Sequence, residues 1–177
     1  MIRILIADDH ALIRRGIKDI LLDEFKTAEI TEVNDAESLI KEVRNKEWDI
    51  VITDISMPGR SGLEALQEVK EIYPKLPVLV LSVHNEDQYA VRVLKAGASG
   101  YLMKESVPDE LIAAVHNALL GKKYITAAVA AATVKQQVEE ALSAKDLTKI
   151  LSAWDDDLLS GFIQKGDLLE RILKLAE

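Results

Sequence analysis

Short apolar runs alternate with helical patterns along residues 1 to about 124, and this alternation limits the fold more than any other feature of the chain. Three of the runs are nearly continuous and β-branched, which is typical of strands covered on both faces. The five runs are Ile2–Ala7, Ile30–Val33, Ile50–Thr53, Val78–Ser82 and Gly100–Met103. Five β–α repeats at this spacing predict an α/β fold, a doubly wound parallel sheet with helices on both faces. We expect the flavodoxin-like strand order 2-1-3-4-5.

The segments between the strands carry apolar residues at helical spacing. In the first segment the predicted core face consists of Leu12, Ile13, Ile17, Ile20 and Leu21. After residue 124 strand-like runs are absent, and the chain becomes rich in Ala, Leu and charged residues. Apolar faces there predict several helices, beginning near Val134 and ending near Leu173. The sequence therefore predicts a first domain of residues 1–124 and a small all-helical C-terminal extension of residues 125–177.

Composition narrows the class of protein and its partners. The chain has 22 Lys+Arg against 30 Asp+Glu, a net charge of −8, which disfavours a broad nucleic-acid footprint. It has no cysteine, which fits a reducing compartment. We find no signal peptide and no run of eighteen apolar residues. These features predict a cytoplasmic protein that makes no membrane contact.

Acidic residues follow two strands that the predicted order makes neighbours. Asp8 and Asp9 follow the first strand, and Asp54 closes the run that forms the third. Three carboxylates at one rim of a sheet repel each other unless a cation is present, and oxygen ligands suit Mg²⁺. Asp9 and Asp54 could bind the ion directly, Asp8 through water, and the main-chain carbonyl of Ser56 could add an oxygen. The alternative is that these residues cap helices, which is most plausible for Asp9 alone.

Three further residues are predicted to lie near the same rim. Lys104 follows the fifth strand and could neutralise the acids, although a single lysine is usually a solvated surface residue. Ser82 ends the fourth strand and carries a hydroxyl, although a lone serine there is most often a turn residue. Tyr101 lies inside the fifth strand, where packing is the usual role. None of the three is persuasive alone.

Together these residues form a family pattern. The motifs are Ala7–His10, Asp54–Leu63, Leu81–His84 and Lys95–Lys104, each at the expected strand end. The chain resembles, over about residues 1–125, the receiver domain of two-component response regulators, most closely the NarL/FixJ-type branch.

The resemblance implies specific roles. Asp54 would accept a phosphoryl group from a histidine kinase or a small phosphodonor. Asp8 and Asp9 would hold Mg²⁺, and Lys104 would contact the phosphoryl group. Ser82 and Tyr101 would form a coupled switch that remodels the surface of helix 4, strand 5 and helix 5. Such a domain is a phosphoacceptor and not an enzyme, apart from self-phosphorylation and autodephosphorylation.

The tail departs from the family pattern. NarL/FixJ-type regulators normally carry a four-helix DNA-binding domain, but the segment after Thr126 is shorter and includes the acidic run Asp155–Asp157. No tail helix offers a clear basic face for a DNA groove. The tail is predicted to be a protein-interaction or homodimerisation module. An atypical DNA-binding tail and an engineered fusion are the alternatives. A magnesium-dependent phosphohydrolase is disfavoured, because Ser56 stands where its acid/base Asp would be.

Overall fold

The computed structural model describes residues 1–83, 87–126, 129–130 and 134–136. The chain divides into two compact units, Met1–Tyr124 and Ile125–Glu177. In the first unit five strands alternate with five helices. The strands are β1 (Arg3–Ala7), β2 (Glu29–Val33), β3 (Ile50–Asp54), β4 (Val78–Ser82) and β5 (Gly100–Met103). The helices are α1 (Ala11–Glu24), α2 (Ala36–Asn45), α3 (Gly62–Ile72), α4 (Asp87–Lys95) and α5 (Val107–Leu119), with a 3₁₀ turn at Lys104–Ser106.

The five strands form one parallel sheet in the order β2-β1-β3-β4-β5, which confirms the predicted flavodoxin-like topology. β1 and β3 pair with Ala7 opposite Thr53, so the residues that follow them reach the same rim. β4 and β5 begin and end at the predicted residues. The carboxyl ends of parallel strands are where open α/β sheets bind ligands, so this topology locates the site.

Both faces of the sheet are covered. On one face α1 and α5 pack over alternate strand residues, including Ile4, Ile52 and Leu81. The intervening residues, such as Leu5 and Val51, are equally buried and point to the opposite face, where α2, α3 and α4 lie. Burial on both faces explains why the sequence of the central strands is almost continuously apolar.

Leu12 does not belong to the core face of α1, and its predicted place there was wrong. Its relative exposure is 83%, whereas Ile17 and Leu21 are buried. At about 100° of rotation per residue, Leu12 lies about 140° from Ile17 around the helix, but Ile13 lies only about 40° away. The apolar side chain of Leu12 therefore faces solvent in the first turn of the helix, beside the acidic rim.

Of the second unit the structure describes residues 125–126, 129–130 and 134–136, of which 129–130 and 134–136 are helical. Thr126 caps the start of the first piece, because its hydroxyl accepts a hydrogen bond from the Val129 amide at 3.3 Å and its carbonyl accepts one from Ala130 at 2.9 Å. The predicted apolar faces from Val138 to Leu173 lie outside the described residues. No helix in the described part of the chain is long and apolar enough to cross a membrane.

Candidate functional site

The three predicted acidic residues meet at the carboxyl end of the sheet. Asp8 directly follows β1 and Asp54 is the last residue of β3, and both are fully buried. The side chain of Asp9 is 31% exposed and borders the same space. One ligand atom from each of Asp8, Asp9, His10 and Asp54 can be chosen so that all four lie within 4.8 Å of one another. The parallel register of β1 and β3 therefore brings together residues that are 46 positions apart in the chain.

Lys104 lies between the two buried carboxylates. Its Nζ is 2.8 Å from Asp54 Oδ2 and 2.7 Å from Asp8 Oδ2, and its side chain is only 7% exposed. Burial lowers the pKa of this lysine, but the hydrogen bonds and charges of Asp54 and Asp8 outweigh burial and raise the pKa above its usual value. The ammonium group is therefore charged at neutral pH. The sequence alone allowed Lys104 to be either a site residue or a solvated surface lysine. The structure places it at the centre of the site.

The site carries more negative than positive charge. The site holds three carboxylates and one ammonium group, so two negative charges remain for a divalent cation to balance. Within the described residues, Asp8 Oδ2 is a buried oxygen without a well-aligned hydrogen bond, although Lys104 Nζ lies close to it. Oxygen donors in a small acidic space fit a hard cation such as Mg²⁺. The residues present therefore fit the predicted metal.

Asp8 is held by His10, the N-cap residue of α1, and by Arg14 of α1. Asp8 Oδ1 accepts a hydrogen bond from the His10 amide at 2.7 Å, and its carbonyl accepts one from Arg14 Nη1 at 2.5 Å. α1 begins at Ala11 with His10 at the N-cap position and no side-chain hydrogen bond to cap it. The alternative in which Asp9 caps this helix therefore does not hold.

Residues on either side of Asp54 in the chain contact its side chain and its carbonyl. The Ser56 amide donates to Asp54 Oδ1 at 3.1 Å, and Thr53 Oγ1 donates to the Asp54 carbonyl at 3.2 Å. A Cβ atom added to Gly62 would lie 2.2 Å from the Asp54 carbonyl oxygen, so only glycine fits there. α3 then starts with a capping box between Ser61 and Glu64. The start of α3 thus supports the backbone of Asp54.

Ser82 lies on β4, the strand next to Asp54, and Tyr101 lies on β5, one strand further from it. Leu81 pairs with Asp54 across β3 and β4, so Ser82 is one residue further toward the rim, and it is fully buried. Tyr101 is opposite Val80 on β5 and is 3% exposed, so the ring lies within the fold. His84, the end of the Leu81–His84 motif, lies outside the described residues.

Arg14, Thr53 and Gly62 support the site and were not identified from the sequence. Arg14 and Thr53 act through contacts to backbone carbonyls, which leave no pattern in a single sequence. Gly62 stands within the Asp54–Leu63 motif, but its close approach to the Asp54 carbonyl is shown only by the structure.

Known proteins share this fold and its sequence pattern. Residues 4–116 match the family model of the response regulator receiver domain. Response regulator UvrY of Escherichia coli strain K12 is 35% identical over 139 residues, which cover 78% of this chain and 64% of UvrY. Oxygen regulatory protein NreC of Staphylococcus epidermidis is 33% identical over 180 residues, covering 96% of this chain and 82% of NreC. The isolated receiver domain of RcsB from Salmonella enterica serovar Typhimurium, solved with the phosphomimetic BeF₃⁻, has a TM-score of 0.67 at 27% identity and covers 74% of this chain and 97% of that domain.

The family match extends over more than half of the chain and includes Asp8, Asp9, Ser82, Tyr101, Lys104 and Asp54. The chain spans just under two thirds of the length of UvrY. The fold, the acidic rim and the family match agree. The chain belongs to the response regulator receiver domain family of two-component signalling proteins.

Proposed function

We propose that Asp54 accepts a phosphoryl group and that its phosphorylation switches the surface formed by α4, β5 and α5. The observation that carries this proposal is the position of Lys104 Nζ, 2.8 Å from Asp54 Oδ2 and 2.7 Å from Asp8 Oδ2. A fixed cation beside a buried carboxylate is suited to hold an oxygen of an incoming phosphoryl group as a point charge. In the transfer, an Asp54 oxygen bonds to phosphorus, and the bond from phosphorus to the donor breaks.

The carboxylates of Asp8, Asp9 and Asp54 and the main-chain carbonyl of Ser56 would hold Mg²⁺. When bound, Mg²⁺ supplies neutralisation of the charge on the phosphoryl oxygens. The chain itself supplies positioning: β1 and β3 fix Asp8 and Asp54, and the Ser56 amide orients one Asp54 oxygen. Phosphoryl transfer depends mainly on positioning and charge, and both requirements are supported by this arrangement.

Ser82 and Tyr101 would relay the change in charge. The new phosphoryl oxygens would attract the Ser82 hydroxyl, which ends β4 next to the acceptor strand. Movement of that loop would favour the buried position of Tyr101 and so reshape the surface around β5. Phosphorylation would thus act as a local electrostatic event that biases two conformations.

The phosphodonor would be a phosphohistidine of a histidine kinase in the cytoplasm, and small phosphodonors would allow self-phosphorylation. We assign residues 1–124 to the phosphoacceptor domain and residues 125–177 to an output segment. The output would be contact with a protein partner or with a second copy of the chain. Autodephosphorylation would reset the switch.

Transcription regulation is the second candidate function. It is favoured by transcriptional regulatory protein DegU of Brevibacillus brevis, which is 42% identical over 70% of this chain. The alignment with NreC covers 96% of this chain, so similarity to a relative extends past residue 124. Under this proposal the tail would bind DNA after phosphorylation. Retention of DNA by the phosphorylated chain, weakening as salt concentration rises, would support it. An equal lack of retention before and after phosphorylation would leave protein contact as the output.

Treatment of the full chain with acetyl phosphate and Mg²⁺ tests the leading proposal. We expect intact-mass measurement to show one added phosphoryl group in the wild type and none in Asp54→Asn. Asp19→Asn, an exposed acid on α1, is the matched control and should react like the wild type. Phosphorylation of Asp54→Asn to the wild-type extent would refute the assignment.

The switch is tested by adding beryllofluoride and Mg²⁺ while recording NMR spectra and the oligomeric state. Resonances of α4, β5 and α5 should shift in the wild type. In Ser82→Ala the shifts near Tyr101 should be reduced, although the acceptor still binds the ligand. Equal shifts in both proteins would show that Ser82 does not relay the signal.

A further inference from the structure

His10 places a nitrogen donor inside the acidic cluster. Its Nδ1 is 2.8 Å from Asp9 Oδ1 and 3.1 Å from Asp8 Oδ1. A ring nitrogen of His10 belongs to the group of ligand atoms that lie within 4.8 Å of one another, together with Asp54. The backbone of His10 is anchored, because its amide donates to Asp8 Oδ1 at 2.7 Å. The backbone of His10 is thus fixed beside Asp8.

The donor set changes the metals that the site can prefer. Carboxylate and carbonyl oxygens suit Mg²⁺, whereas an imidazole nitrogen suits later first-row ions such as Fe²⁺, Co²⁺, Ni²⁺ and Zn²⁺. Only a small movement would be needed to exchange the contacts of Nδ1 with Asp8 and Asp9 for a shared ion, because all three groups already converge. The His10 side chain is 60% exposed, so it can turn toward the ion without opening the core.

We propose that His10 determines the metal specificity of this site by binding, through its imidazole, a first-row transition ion that Asp8, Asp9 and Asp54 also hold. The proposal rests on the proposed function in using the same acidic site. It adds that this chain takes an imidazole-preferring divalent ion more tightly than its oxygen ligands alone would allow. Mg²⁺ binding depends on the carboxylates and does not need His10.

A positioning role for His10 makes different predictions. If the ring only held Asp8 and Asp9 by hydrogen bonds, its removal would weaken Mg²⁺ and transition ions alike. If the ring is a ligand, its removal weakens only the transition ions. Two measurements therefore distinguish these roles: the ratio of the transition-ion affinity to the Mg²⁺ affinity, and whether the imidazole ring is bonded to the ion.

Co²⁺ is the probe, because it is paramagnetic and has visible absorption bands. The full-length wild type, His10→Ala and His10→Gln are titrated with Co²⁺ and, separately, with Mg²⁺. We expect His10→Ala to weaken Co²⁺ binding about tenfold or more and to change Mg²⁺ binding less than about twofold. Gln at residue 10 keeps a hydrogen-bond donor without the imidazole, and we expect it not to restore Co²⁺ binding. His116→Ala, on α5, is the control for loss of a histidine and should match the wild type.

Proton NMR of the Co²⁺ form gives direct evidence of ligation. A strongly shifted, exchangeable imidazole resonance should appear in the wild type and in His116→Ala, and should be absent in His10→Ala. Persistence of that resonance in His10→Ala, or an equal loss of Mg²⁺ and Co²⁺ affinity, would overturn the proposal. If the wild type binds Co²⁺ through Asp54 but shows no such imidazole resonance, the His10 proposal is also overturned. The phosphoacceptor proposal is not affected by that result. Failure of the wild type to bind either ion would refute both.

Discussion

At the scale of single residues, the charge balance of the buried site depends on one lysine. Lys104 is the cation between two fully buried carboxylates, and its side chain is itself almost inaccessible. Removing one partner of a buried ion pair leaves an uncompensated charge, and this costs more than the pair contributes. The same residue thus supports the metal-free fold and, under the proposed function, the phosphoryl group.

Lys104→Met should destabilise the metal-free protein by about 3 kcal/mol, because Asp8 and Asp54 then lose their cation. Urea unfolding in the presence of a chelator measures the change. Lys75→Met, an exposed lysine, should change the free energy of unfolding by less than about 0.5 kcal/mol. Adding Asp54→Asn to Lys104→Met should recover part of the loss. Strictly additive effects would show that the two residues are not coupled.

Above neutral pH, the contribution of Lys104 to stability should change only in the alkaline range. Its pKa is raised above 10.5 in the folded state, so its stabilisation is complete below the unfolded value and is lost as pH rises through the raised pKa. The stability difference between the wild type and Lys104→Met should therefore be constant from about pH 7 to about pH 10 and shrink above that range. Urea titrations at several pH values measure it. A difference that already declined near neutral pH would contradict the raised pKa.

At the scale of secondary-structure elements, the junction between β3 and α3 is the most constrained part of the site. Gly62 approaches the Asp54 carbonyl too closely for any side chain, and the Ser61–Glu64 capping box fixes the helix start immediately around it. β3 and α3 are therefore closely coupled at this junction. We therefore expect substitutions in the first turn of α3 to displace the backbone of Asp54.

Gly62→Ala should lower the free energy of unfolding by about 2 kcal/mol or more, because its Cβ would meet the backbone of Asp54 at 2.2 Å. It should also slow phosphorylation by displacing the acceptor. Gly16→Ala is the matched control, since no atom lies within 4 Å of the added Cβ, and helix propensity should make it stabilising. Thermal unfolding and acetyl phosphate kinetics measure both variants. Equal stability of the two would refute the steric argument.

Element positions were largely predictable from the sequence, and contacts were not. The runs at Val78–Ser82 and Gly100–Met103 matched the strands because burial on both faces leaves an unbroken apolar signal. Leu12 was wrongly placed in the core, because an apolar residue in a first helical turn can face solvent without breaking the pattern. The bond from Arg14 to the Asp8 carbonyl could not be predicted, since it depends on how α1 is set against β1. The acidic residues were predictable because strand order alone brings strand ends together.

At the scale of the whole molecule, every residue assigned to the site lies within the first unit, Met1–Tyr124. The last residue of that unit is attached to the sheet, because the Tyr124 amide donates to the Ser99 carbonyl at 2.7 Å and Tyr124 forms a parallel bridge with Gly100. The first unit thus has its own core, its own closing contact and a complete candidate site. Metal binding should therefore not require the tail.

A chain ending at Thr126 should gain the same stability from Mg²⁺ as the full chain. At a free concentration ten times the dissociation constant, the gain is about 1.4 kcal/mol for one site. Asp9→Asn should reduce the gain in both chains, and a chelator should abolish it. Thermal unfolding with and without Mg²⁺ measures the effect. A gain confined to the full chain would show that residues after Thr126 complete the site.

The position of Lys104 in the chain also bears on folding order. Asp8 and Asp54 come from the first half of the chain, whereas their cation arrives only with the segment after β5, 50 residues beyond Asp54. A partly folded form in which β1 and β3 have paired but β5 has not docked would hold two buried carboxylates without compensation. We expect such an intermediate to be destabilised, which would favour cooperative folding and unfolding. The ion pairs of Lys104 with Asp8 and Asp54 would thus also favour complete folding of the first unit over partly folded forms.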